Sequence, residues 1–187
     1  MHLKKLIHNL IFKMNLNPNL ITIIGSIGAI TGSVLLIFDI RLLGIIFIVL
    51  FSFFDAIDGT IARILNKESS LGKFLDSNLD RFVDTSIFLA ILSQINQNEL
   101  FEIYFVFLGL ALSLITSYIK ASSESLGINI KSGPLSRLPR IILLILAIIL
   151  QQYLFFLTII IVLSGFTVLI RLISGIKQLI EKDKIVR

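Results

Sequence analysis

Asp55, Asp58, Asp76 and Asp80 stand three and four residues apart, in pairs, within stretches of otherwise apolar sequence. A helix brings residues at those intervals onto one face, so each pair projects from one side of its own helix, and the two sides can meet. Carboxylates placed this way are costly. On an insertion scale an Asp at the centre of a lipid-embedded helix is unfavourable by roughly 2.5–3.5 kcal/mol. Two like charges about 4 Å apart repel by about 4 kcal/mol when the effective dielectric is near 20. A divalent cation offsets both terms. Ordinary charges on helix ends near water explain neither the number of acids nor their fixed spacing.

The elements that must hold these acids are lipid-embedded helices. Hydrophobic residues make up 56% of the 187 positions and charged residues 16%, with a mean hydropathy of +0.96, far from the composition of a water-soluble domain. Apolar runs at about 20–38, 42–62, 76–95, 100–121, 137–151 and 153–175 predict six spans, the fifth of them short for the roughly 20 residues a crossing needs. Every Lys and Arg except Arg41 falls in one of four segments: before the first run, around the junction of the second and third (Arg63 to Arg81), around the junction of the fourth and fifth (Lys120 to Arg140), and from Arg171 to the end. If those segments share the cytoplasmic side, the chain crosses six times, with both termini inside and Gln151-Gln152 as an external turn. Residues 1–16, with Lys4, Lys5, Lys13, His2 and His8, read as an amphipathic helix along the membrane surface. They carry no cleavage pattern of a signal peptide. Residues 17–178 then form the helical domain and 179–187 a cytoplasmic tail. Without cysteine, thiolate sites and disulfides are excluded. Gly28 and Gly32, with Gly25, read as a close-packing face, not a phosphate cradle. The fifteen Phe residues supply packing and lipid-facing bulk.

The run from Asp55 reads Asp-Ala-Ile-Asp-Gly-Thr-Ile-Ala-Arg, then eight residues to Gly72, three to Asp76 and three to Asp80. This resembles the signature of the CDP-alcohol phosphatidyltransferase family at each of its fixed positions. The resemblance implies a magnesium or manganese site built from Asp55, Asp58, Asp76 and Asp80, with Asp80 also taking the proton of the acceptor hydroxyl. Asp84, one turn further, is left outside that set. It implies that Gly59, Ala62, Arg63, Ser69 and Gly72 contact a CDP-lipid, with Pro18, Asn19, Leu20 and Ile21 at the start of the first helix. The implied reaction is displacement at phosphorus: an alcohol attacks the lipid-side phosphate and CMP leaves. Within the second run the uninterrupted apolar part, Leu42 to Phe54, is too short to cross and must borrow the turns from Asp55 to Ala62, which puts the acids at the cytoplasmic boundary, where a soluble acceptor can reach a lipid-borne diphosphate.

Lys120, Arg137 and Arg140 flank the segment between the fourth and fifth runs, and three cations there suit an anionic acceptor. The segment from Ser117 to Arg140 resembles the phosphatidylinositol-phosphate and archaetidylinositol-phosphate synthase branch. It departs from that branch at Ser122, usually arginine, and at Ser136, often glutamate. The expected acceptor is therefore inositol phosphate, with glycerol 3-phosphate as the alternative. A divalent-cation or anion transporter, and a catalytically dead scaffold, are the readings from other classes; no second half echoes the acid-rich segment, as a transporter's inverted repeat would. Membrane lipids and a second copy of the chain are the expected partners, and nucleic acid is not.

Overall fold

The computed structural model describes the backbone of residues 17–64 and 69–186, and the side chains of those residues except at 18, 54–64, 185 and 186. The amphipathic helix expected over 1–16, with His2 and His8, lies outside the described residues. The described residues form six helices: α1 (Pro18–Ile37), α2 (Arg41–Ile64), α3 (Ser70–Gln94), α4 (Leu100–Ser125), α5 (Arg137–Leu150) and α6 (Tyr153–Val186). Each apolar run predicted from sequence falls on one of them. α3 begins ahead of its apolar run, at Ser70, and α6 continues to Val186, because charged residues interrupt an apolar run without interrupting a helix.

Among the described residues three helices carry apolar stretches long enough to cross a bilayer, Asn19–Ile37, Leu100–Ser125 and Tyr153–Lys184, and α2 contributes a shorter one, Arg41–Phe53. α5, at 14 residues, rises about 21 Å against a hydrocarbon core of about 30 Å. The helices also present large apolar side chains outward, among them Phe74, Phe82, Phe101, Tyr104, Phe107, Phe155 and Phe166. Water does not tolerate that much exposed apolar surface; lipid does. The protein is an integral membrane protein.

The chain divides into two compact units, split in sequence between Ala90 and Ile91. In the first, α1 and α2 form a hairpin whose turn places Asp39 in the left-handed region, φ 61°, with Ile40 N–H closing on the Leu35 carbonyl at 2.8 Å. The hairpin is tight because glycine lies where the helices touch. A Cβ on Gly32 would stand 2.8 Å from the Gly44 carbonyl oxygen and from the Ile48 amide nitrogen, and one on Gly28 would enter the Phe51 ring. Gly28 and Gly32 are thus the packing face expected from sequence. α3 is tied to α1 by the Ser86 hydroxyl, which donates to Ser33 Oγ at 3.1 Å.

The second unit is built around α6. α5 lays Arg140, Ile141, Leu144, Ala147 and Ile148 inward, at the spacing of one helical face. It turns into α6 through Gln151, at φ 56°. α4 buries the small side chains Gly109, Ser113, Thr116 and Ser123. Thr116 and Ser123 satisfy their hydroxyls on the carbonyls of Ser113 and Ile119, each at 2.8 Å. α4 ends in a Schellman turn: Ile128 N–H bonds to the Ser123 carbonyl at 3.1 Å and Gly127 N–H to Glu124 at 3.0 Å, with Gly127 at φ +69°.

Two glycines give opposite expectations. Gly32→Val drives a side chain into the α2 backbone and lowers stability by about 3 kcal/mol, the upper end for overpacking. Gly165, inside α6, has nothing within 4 Å of its virtual Cβ, so Gly165→Ala gains about 0.5–1 kcal/mol from helix propensity. Thermal unfolding of both variants in one detergent measures the contrast.

Candidate active site

The acids of α3 owe their placement to how that helix starts and which face it buries. Ser69 caps it, its Oγ accepting the Gly72 N–H at 3.0 Å and its carbonyl the Lys73 N–H at 3.0 Å, so two amide donors of the first turn are satisfied. From that cap Asp76, Asp80 and Asp84 follow at four-residue steps along one face. The face runs inward. Asp76 and Asp80 are half-buried, Asp84 is 3% exposed, and Ile87, Phe88 and Ile91 beyond it are wholly buried. Leu71, Phe74 and Phe82 occupy the outward side. The carboxylates therefore face protein and not lipid, the arrangement required of ionisable groups at membrane depth.

Asp55 and Asp58 fall on the helical backbone of α2; their side chains, like those of Pro18, Gly59, Ala62 and Arg63, lie outside the described residues. Among the described residues no three of Asp, Glu or His gather around a metal-sized site. Asp76 and Asp80 are the described half of the expected set, and two inward carboxylates one turn apart supply the hard oxygen donors that magnesium and manganese require.

Three residues expected to contact the CDP-lipid come together. The Asn17 side chain caps α1, accepting the Asn19 N–H at 3.1 Å, with Pro18 in the first turn. Asn19 then lies against the start of α3: a Cβ at Gly72 would stand 2.8 Å from Asn19 Oδ1 and 3.2 Å from Ser69 Oγ. Asn19, Ser69 and Gly72 share one small region where two helix N-termini converge. Leu20 is exposed and Ile21 half-buried on the following turn of α1.

In the second unit the expected acceptor residues separate by environment. Lys120 is exposed, 3.8 Å from Glu124 one turn on. Arg137 is half-buried and Arg140 is 2% exposed, and both lie in the first turn of α5, which carries no acid. Cations at a helix N-terminus oppose the macrodipole. Neither Arg137 nor Arg140 is therefore placed where the helix dipole would favour it.

Arg171 is the residue that sequence reasoning missed. Counted there among the basic residues that close the chain, it is 7% exposed on α6. Its Nε and Nη2 donate to the Ser132 carbonyl at 3.0 and 2.9 Å, and its Nη1 donates to the Thr116 carbonyl. Arg140 and Glu124 are close enough for their charges to act on it. It belongs to a series along one face of α6 that holds the connection 126–136. Thr167 Oγ1 accepts the Leu135 N–H at 3.0 Å. Ser174 Oγ accepts the Lys131 N–H at 3.4 Å. Gln178 donates to the Asn129 carbonyl at 2.7 Å and Lys182 to the Leu126 carbonyl at 2.9 Å. Gly133, at φ +78°, lets the connection lie on α6, since a Cβ there would come 2.6 Å from Thr167 Cγ2. The available signal was position: an arginine inside the apolar run 153–175 must turn inward to a partner.

The CDP-alcohol phosphatidyltransferase family profile matches residues 15–173. A phosphatidylinositol phosphate synthase of Cutibacterium acnes is 34% identical over 142 residues, 74% of this chain and 68% of that protein. An archaetidylinositol phosphate synthase of Pyrococcus horikoshii is 33% identical over 135 residues, 72% of this chain and 70% of that protein. The fold is shared with the crystal structure of Mycobacterium tuberculosis phosphatidylinositol phosphate synthase with CDP-DAG bound, at a TM-score of 0.78, 23% identity and 94% coverage of each chain. The same synthase in complex with manganese and citrate superposes at a TM-score of 0.77, with 24% identity over 90% of this chain and 87% of that one. A profile match over most of the length, with relatives sharing a third of the aligned residues, decides between enzyme, transporter and scaffold: the chain is an enzyme of the CDP-alcohol phosphatidyltransferase family.

Proposed function

We propose that this enzyme transfers a phosphatidyl-type group from a CDP-lipid to a hydroxyl of inositol phosphate and releases CMP, at the cytoplasmic face of a membrane that all six helices cross. The acceptor oxygen forms a bond to the lipid-side phosphorus, and the bond from that phosphorus to the bridging oxygen breaks, so the oxygen leaves with CMP. Asp80 takes the acceptor's proton, a task suited to a half-buried carboxylate beside a second acid. Asp55, Asp58, Asp76 and Asp80 would hold magnesium or manganese, which would supply charge neutralisation for the diphosphate and for CMP as a leaving group. Asn19, Ser69 and Gly72, with Pro18, Leu20, Ile21, Gly59, Ala62 and Arg63, receive the CDP-lipid at the paired N-termini of α1 and α3, a favourable setting for phosphate. Arg137 and Arg140, with Lys120, bind the acceptor's phosphate. The enzyme works as a homodimer.

What carries the choice of acceptor is the buried Arg140 at the wrong end of a helix, together with relatives named as inositol phosphate lipid synthases. A cationic site repels choline or ethanolamine and favours a phosphorylated alcohol. Glycerol 3-phosphate satisfies the same charge and is the competing acceptor. Purified enzyme with CDP-diacylglycerol or CDP-archaeol, magnesium and either acceptor is expected to release CMP at least tenfold faster with inositol phosphate, a difference of about 1.4 kcal/mol in transition-state binding. Equal or faster release with glycerol 3-phosphate overturns the acceptor assignment. Metal-dependent ion flux into vesicles without CMP overturns the transfer reaction itself.

A further inference from the structure

A cleft of about 330 Å³ opens on the second unit where the connection 126–136 lies along α6, and none of its lining belongs to the acid-rich segment or to the expected acceptor residues. Its floor is one helical face, with Ile170 and Ile173 at one end, Ser174 and Gln178 in the middle, and Lys177 and Glu181 toward the far end. Lys131 faces it from the connection. The backbone at and just before that lysine is fixed to the cleft floor, since its N–H bonds to Ser174 Oγ at 3.4 Å and the Asn129 carbonyl accepts from Gln178 at 2.7 Å.

The length of α6 sets the depth of the cleft. The helix has 34 residues, about 51 Å, against a hydrocarbon core of about 30 Å. About 20 residues from Tyr153 fill the core, so the chain leaves hydrocarbon near Ile173. Ile170 and Ile173, the latter 55% exposed, therefore sit where the helix leaves hydrocarbon. Lys131 and Lys177, both exposed, stand in the headgroup layer above them. Apolar contact below and two ammonium groups with a hydroxyl and an amide above match one kind of molecule.

We infer that this cleft binds an anionic glycerophospholipid of the surrounding bilayer, its phosphate between Lys131 and Lys177 and its first methylenes on Ile170 and Ile173. The Ser174 hydroxyl offers a donor to a phosphate oxygen, while Gln178, whose amide donates to the Asn129 carbonyl and to Ser174 Oγ, holds that hydroxyl in place. Glu181 accepts hydrogen bonds from headgroup hydroxyls and selects against a second headgroup charge. The site is independent of which alcohol the enzyme uses as acceptor.

Native mass spectrometry of the purified full chain, titrated with phosphatidylglycerol or phosphatidylcholine, tests this. Phosphatidylglycerol is expected to bind in preference. Lys131→Gln/Lys177→Gln is expected to weaken it roughly thirtyfold, each lysine near an anionic headgroup being worth about fivefold. Lys131→Arg/Lys177→Arg keeps the preference, and Lys184→Gln, on the same helix outside the cleft, leaves it unchanged. CMP release by the double Gln variant stays at the wild-type rate, which shows that it is folded. Equal binding of the two lipids, or full phosphatidylglycerol binding by the double Gln variant, overturns the site. So does an equal loss in Lys184→Gln, which would make the attraction diffuse. Displacement of the lipid by millimolar glycerol phosphate would reassign the cleft to a soluble phosphate.

Discussion

Asp80→Asn is expected to cut CMP release by roughly 10²- to 10⁴-fold, the range over which a positioned general base contributes, while thermal stability stays within about 4 °C of the wild type. The substitution keeps shape and burial at a half-buried position on the inward face of α3, and removes a charge and the capacity to take a proton. A second readout separates this role from a structural one. Manganese bound only by the folded state stabilises it by mass action, so the wild type gains melting temperature as manganese is added. Asp80→Asn, one carboxylate poorer, gains less at each concentration. In metal-free buffer the variant is at least as stable as the wild type, because relief of the Asp76–Asp80 repulsion compensates for any lost hydrogen bonding. A variant with normal turnover would remove Asp80 from the reaction. One that unfolds without metal would make it a structural residue.

Arg171→Met is expected to cost about 3–5 kcal/mol, because two backbone carbonyls each lose a charged donor at roughly 1.5–3 kcal/mol apiece. The three N–H groups it loses serve the carbonyls of Ser132 and Thr116, and hydrogen bonds to a charged group are worth about 1.5–3 kcal/mol each. Met fills the volume and satisfies neither carbonyl. Gln178→Ala removes a single neutral amide from the same series and costs about 1 kcal/mol. Arg171→Lys falls between them, keeping the charge without the planar fork. Thermal unfolding in detergent ranks the three. The connection 126–136 leads directly into Arg137 and Arg140, so Arg171→Lys is also expected to raise KM for the phosphorylated acceptor more than it lowers kcat. If instead kcat falls with KM unchanged, Arg171 acts elsewhere than on acceptor binding.

The six helices were legible in the sequence because hydrophobicity and helical period are local properties, averaged over many residues and insensitive to any one contact. The face shared by Asp76 and Asp80 was legible for the same reason: four residues make one turn wherever the helix lies. Gly28 and Gly32 announced a close approach, though not that Gly44 and Phe51 would be the surfaces approached. Asp84, left outside the metal-binding set, is the most deeply buried of the acids on its face, since burial depends on what packs against a helix as well as on where the helix turns.

Arg171 marks the limit. Its partners lie 39 and 55 residues earlier in the chain, and nothing in composition or spacing pairs an arginine with two particular carbonyls. The same holds for the series from Thr167 to Lys182 that fastens the connection to α6, and for the cleft with Lys131 on one wall. Local chemistry gave this protein its membrane setting, its helices and the register of its acids. The fixing of the connection, and with it the environment of the buried Arg140, came from contacts between distant residues, because a hydrogen bond depends on three-dimensional position and sequence distance says nothing about that.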